Sequence, residues 1–122
     1  MKLKLGEITM MQQGLMVLVN QELPIKLSYK LSKILKKIDM EVQEIENTRV
    51  ELVKKYGTSD EASGNIKVEE GENQEKFMSE YADLLNVETD INIDPISIDE
   101  LPDSIKITPQ QLAYIDKFIL QE

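Results

Sequence analysis

The chain predicts an α+β fold: a mainly helical single domain with one long helix over about residues 24–56, a small antiparallel sheet and a C-terminal helix. Three observations carry this expectation. A length of 122 residues with 41% apolar and 30% charged side chains suits one domain of ordinary size, with enough apolar surface for a packed interior and too much for a disordered chain. Leu27, Leu31, Ile34, Ile38, Val42, Ile45, Leu52 and Tyr56 recur near every 3.6 residues, interrupted at Arg49, which marks a helix with one buried stripe. Val87, Thr89, Ile91 and Ile93 instead alternate with Glu88, Asp90, Asn92 and Asp94, which marks a strand with one wet face.

The elements follow in chain order. Over residues 7–20, Ile8, Met11, Leu15, Leu18 and Val19 lie three and four apart and define a first helix, which Gly6 and Gly14 interrupt. Pro24 opens the second helix, because the N–H it lacks would be unpaired in a first turn anyway. Gly57 supplies the stop. Some 32 residues at ~1.5 Å each make a rod of ~48 Å, longer than the ~35 Å diameter of a compact chain of this size. The helix is therefore expected to protrude, bend or pack on a partner. Residues 58–72 read as an acidic mobile loop or hairpin around the short pattern Ile66-Lys67-Val68. Phe77, Met78, Tyr81, Leu84 and Leu85 mark a third helix from about Asn73 to Asn86. The strand from Val87 meets Pro95, which breaks it or puts it at an edge; Ile96 and Ile98 continue it briefly, and residues 105–107 read as a last short strand. In Thr108-Pro109-Gln110-Gln111, Thr caps, Pro takes the first helical position and Gln closes a capping box. Leu112, Ile115, Phe118 and Ile119 then form the buried stripe of a terminal helix.

Composition excludes more functions than it suggests. There is no Cys, His or Trp, so the chain lacks disulfides, thiolate and imidazole metal ligands and every imidazole-assisted nucleophile. The net charge of -9 opposes direct binding to nucleic-acid phosphates. That total is uneven. Residues 1–57 carry ten Lys plus Arg against seven acids, whereas residues 58–122 carry four against sixteen. The apolar N-terminal stretch is broken by Glu7, Gln12 and Gln13, and reads as neither a signal peptide nor a membrane span.

Apparent motifs dissolve on inspection. Asp90-Ile91-Asn92-Ile93-Asp94 begins like a calcium loop, but Pro95 stands where Gly is needed and Leu101 where a bidentate Glu should be. Tyr29 and Lys33 have the spacing of a dehydrogenase phenol and its lysine, without a Gly-rich dinucleotide turn or room for a doubly wound sheet. No Ser opens Ser-x-x-Lys. The carboxylate pairs Glu69–Glu70 and Asp99–Glu100 do not stand out in so acidic a chain. No catalytic residue, metal ligand or cofactor is expected.

One pattern remains. Lys26, Lys30, Lys33 and Lys37 are spaced four, three and four apart, with Lys36 beside them and no acid between Glu22 and Asp39. They form a basic stripe on the first half of the long helix, read either as a wet face turned to the chain's own acidic half or as a contact surface for an acidic partner.

Met1-Lys-Leu-Lys-Leu, the run from Leu23-Pro-Ile-Lys-Leu-Ser-Tyr-Lys to Ile38, Val53-Lys-Lys-Tyr-Gly57 and Ile107-Thr-Pro-Gln-Gln-Leu-Ala-Tyr-Ile-Asp116 resemble a family of small, functionally uncharacterised proteins of phages and prophages of Gram-positive bacteria. The resemblance runs end to end, with residues 66–73 variable, and implies a phage origin and no catalytic residues. The expectation is a non-enzymatic, phage-encoded protein-binding module in the cytoplasm of the infected host. It would act through the long helix on a host factor, a defence component or a phage partner. Three alternatives stay open: a structural or chaperone component of virion assembly, an acidic mimic of DNA, and a homo-oligomer formed through the long helix.

Overall fold

Two helices frame the molecule, α1 (Leu5–Val19) and α2 (Ile25–Tyr56). In the computed structural model, which describes residues 1–59 and 64–120, α1 runs back along the first half of α2, and Gln12 Nε2 donates to Asp39 Oδ1 at 2.9 Å. Ile8, Met11, Leu15 and Leu18 of α1 meet Leu27, Leu31, Ile34 and Ile38 of α2 in one buried cluster. Burial of side chains this large, at roughly 1.5–3 kcal/mol each, is the main force holding the domain together. The second half of α2 is covered by α3 (Glu72–Leu85), to which Lys55 is tied by an ion pair with Glu80 at 3.4 Å. Packing inside the chain thus accommodates the length of α2 on one side, and its outer side stays open.

Gly14 does not break α1. A Cβ there would lie 2.7 Å from both the Gln111 carbonyl oxygen and Ile115 Cγ2, so its bare Cα is where the terminal helix α4 (Pro109–Ile115) presses against α1. Gly57 ends α2 as expected. Its φ is -90° and ψ 164°, ordinary extended backbone, and it is a close-approach site: a Cβ would collide with the Val53 carbonyl oxygen and with Ile66 Cγ2.

The sheet is smaller and more divided than the alternation implied. Among the described residues it forms three two-stranded pieces. β1 (Lys2–Lys4), which the sequence did not announce, pairs antiparallel with β4 (Glu88–Asp90) in the register Lys2↔Asp90, Leu3↔Thr89, Lys4↔Glu88. Lysines therefore stand directly opposite acids on the wet face, while Leu3 is buried. The N-terminal ammonium closes the end of this ribbon on Asp90 Oδ1 at 2.9 Å. β2 (Thr58–Ser59) pairs antiparallel with β3 (Ile66–Lys67); of the expected 58–72 loop, residues 60–63 lie outside the described residues.

The strand expected over residues 87–94 is corrected to β4 alone. Ile91 and Ile93 are buried on irregular backbone, because Pro95 and the entry into β5 (Ile96–Ser97) turn the chain before a ladder can continue. β5 pairs with β6 (Ile119–Leu120) in parallel, Ile96 opposite Ile119. Residues 105–107 form no strand, since Gln21 takes the edge of that segment: its amide donates to the Lys106 carbonyl at 2.8 Å and accepts from the Lys106 N–H at 2.9 Å. The terminal helix is capped as expected, with Thr108 Oγ1 accepting from the Gln111 N–H at 3.1 Å and Gln111 Oε1 accepting from the Thr108 N–H at 3.1 Å. It is shorter than its apolar stripe. Phe118 and Ile119 are buried from a 3-10 turn (Asp116–Phe118) and from β6, where the chain straightens to pair with β5. The fold is α+β, mainly helical, with one long helix, a small sheet and a C-terminal helix.

Candidate interaction surface

The basic stripe lies on the flank of α2 that faces residues 92–100, and its lysines have unequal environments. Lys30 pairs with Glu100, and Lys37 donates to the Asn92 carbonyl. Glu100 is aimed at Lys30 by local structure: in Ser97-Ile98-Asp99-Glu100 its Oε2 accepts from the Ser97 N–H at 2.8 Å while Ser97 Oγ accepts from the Asp99 N–H at 3.2 Å. This is a capping box on a single 3-10 turn (Ile98–Glu100). The Lys30 ammonium, then the Ser97 N–H, hold the Glu100 carboxyl below the ordinary carboxylate range. Lys33 sits over the Tyr29 ring with its ammonium 4.7 Å from the centroid. The pair that resembled a phenol and its activating lysine is thus a cation over an aromatic face. Lys26 is exposed at the first turn.

Between this flank and the irregular segment lies a groove of about 300 Å³ lined by Tyr29, Lys30, Lys33, Ile34, Lys37, Ile93, Asp94 and Pro95. With Lys30 paired to Glu100, Lys33 and Lys37 face Asp94 there, so the groove keeps a small positive excess although the molecule is strongly negative. Tyr29, 61% exposed, gives its mouth a flat ring with a hydroxyl. Chemically the groove can accept a carboxylate with an apolar neighbour. Sequence reasoning found its lysines and missed its other wall, because Ile93, Asp94 and Pro95 read as the end of a strand; Pro95, which cannot continue a ladder, was the available signal.

The remaining candidates separate. Asp99 and Glu100 are not a working carboxylate pair, since Glu100 is committed to Ser97 and Lys30. Asp90, the first residue of the calcium-like run, is held below its ordinary pKa by the N-terminal ammonium. Among the described residues no group of three or more acidic side chains is arranged around a possible metal position, and no helix is long and apolar enough to cross a membrane. A second, mostly apolar groove of about 470 Å³ runs between α1 and α3 past Gly6, Met10, Tyr81 and Leu85. Comparison of the chain with protein-family models, with curated proteins and with solved structures finds no match.

Proposed function

We propose that this protein is a small, non-enzymatic, phage-encoded binding module. In this reading it works in the cytoplasm of an infected bacterium and captures another protein, of the host or of the phage, through the lysine flank of α2. The observation that carries the reading is the groove itself: a positive, aromatic-edged recess on an acidic molecule, built from Tyr29, Lys33 and Lys37 on α2 and Ile93, Asp94 and Pro95 opposite. A partner offering an acidic segment with an apolar side chain would find both of its chemistries answered, and the local field would speed the encounter.

The test separates capture from folding. Reversing Lys30 or Lys37 would disturb contacts inside the chain, so the informative variant is Lys26→Glu with Lys33→Glu. Its melting curve should stay close to wild type, as for exposed charges generally. Affinity capture from infected cells, read by mass spectrometry, should enrich a partner with the wild-type protein and with a Lys67→Glu control, and lose it with the double reversal. A folded double variant that captures the same partner as wild type would overturn the reading.

A further inference from the structure

The outer face of α2, which meets the groove at Tyr29, has its own pattern. Tyr29, Lys36, Met40, Gln43, Val50 and Lys54 are all exposed and are spaced seven, four, three, seven and four apart, the two seam positions of a heptad. Tyr29 is 61%, Met40 72% and Val50 36% exposed, three apolar side chains interleaved with Lys36, Gln43 and Lys54 along one strip. The charges on either side of Met40 are segregated. Lys26, Lys30, Lys33, Lys36 and Lys37 precede it with no acid among them, and Asp39, Glu41, Glu44, Glu46 and Glu51 flank or follow it. Arg49, the cation within that acidic half, is already held by Glu46 at 2.6 Å.

We infer that this face binds a second copy of the chain, with the two α2 helices antiparallel about a two-fold axis near Met40. Charge complementarity selects both occupant and direction. Turning one helix end for end sets Lys36 against Glu44, Lys33 against the Glu46 region and the Lys30 turn against Glu51; a parallel pair would stack lysines on lysines and acids on acids. Met40 meets its symmetry mate and Tyr29 meets Val50. Like charges approach at two places, Lys26 against Lys54 at the far ends and Asp39 against Glu41 on the flanks beside the axis, which adds to the weakness of the pair. From Tyr29 to Lys54 the seam is ~38 Å long and about 10 Å wide, so each copy buries ~400 Å², about half of what a standard interface buries per partner. The dimer is therefore weak and reversible. Tyr29 and Lys33 belong to both surfaces, whereas Lys36, Met40 and Glu44 line no part of the groove, so variants at those three positions let this inference and the proposed function fail separately.

Sedimentation equilibrium of the full chain from ~10 μM to ~1 mM, concentrations that reach weak, reversible association, tests it. The mean mass should climb toward the dimer, and raising salt from ~50 to ~500 mM should weaken association several-fold, because exposed charge pairs are screened. Met40→Asp, which sets two carboxylates on the axis, should weaken it by about tenfold or more. Lys36→Glu, and separately Glu44→Lys, should each weaken the dimer several-fold alone and restore it when mixed in equal amounts. Should one of these variants fail to fold by circular dichroism, Met40→Asp, which changes one exposed side chain, still decides. A wild-type chain that stays monomeric to ~1 mM would overturn the inference and leave the strip to a different partner. A dimer indifferent to Met40→Asp would overturn it equally, by placing the contact on another face.

Discussion

Replacing Gly14 by Ala should destabilise the protein, although alanine is the better helix former. In an open helix interior the change gains about 1 kcal/mol. At Gly14 the added methyl would sit 2.7 Å from the Gln111 carbonyl oxygen, 2.7 Å from Ile115 Cγ2 and 3.0 Å from Tyr114 Cβ, well inside van der Waals contact. The first neighbour is backbone, so relief requires α4 to move as a body away from α1, opening the packing around Ile115, which is fully buried. Overpacking of this kind costs ~1–3 kcal/mol, and rigid opposition places Gly14 at the upper end. The net expectation is a loss of about 1–2 kcal/mol, or roughly 5 °C in melting temperature for a domain of this size. Gly6→Ala is the internal control. It lies in the first turn of α1, and its methyl would meet the Leu85 carbonyl oxygen at 3.3 Å, a tight contact that a shift of a few tenths of an ångström relieves and that offsets alanine's helix gain, so its stability should stay within about 0.5 kcal/mol of wild type. Urea and thermal unfolding of the two variants, followed by circular dichroism, make the comparison. A Gly14→Ala protein as stable as wild type, or more so, would refute the close approach of α1 and α4.

Thr108→Ala should cost about 0.5–2 kcal/mol by removing the acceptor for the Gln111 N–H, and Thr108→Ser should restore most of it; urea midpoints of both variants check the assignment. Acid should unfold the chain through its paired carboxylates. The Lys117 ammonium, then the Lys4 N–H, hold the Glu7 carboxyl below the ordinary range, and Arg49 does the same for Glu46. Such groups contribute stability that is fully present above the unfolded carboxylate value of ~4 and is lost as pH falls through the lower folded values. The urea midpoint should thus fall as pH is lowered from 5 toward 2, an acid range suggested by carboxylate values of about 4, and Glu7→Gln should flatten part of that fall. An unchanged slope in the variant would count against the Glu7–Lys117 contact.

Local patterns made much of the molecule legible in advance. The four helices follow from apolar residues at helical spacing, and the boundaries at Pro24 and Thr108 follow from what a first turn does with its unpaired N–H groups. Those are interactions between residues a few positions apart, so adjacent letters encode them. The lysines of the candidate groove were readable for the same reason, since four, three and four along one helix is a local geometry.

What the sequence withheld depends on distant pairing. Lys2-Leu3-Lys4 is too short to show a period, and becomes a strand only because Glu88-Thr89-Asp90 lies beside it. Phe118 and Ile119 continue a helical stripe by spacing, yet leave the helix because Ile96 offers a parallel edge. Gly14 looked like a helix breaker until α4 was placed against it. Glu100 was one acid among many until its own capping turn aimed it at Lys30, and the groove acquired its second wall the same way. By itself, then, the sequence determined the helices, their ends and the layout of charge, because these rest on short-range sterics and hydrogen bonding. Only the tertiary structure decided which short segments became strands, which glycine marks a contact and which lysines face their own chain, because those outcomes depend on contacts between residues far apart in sequence.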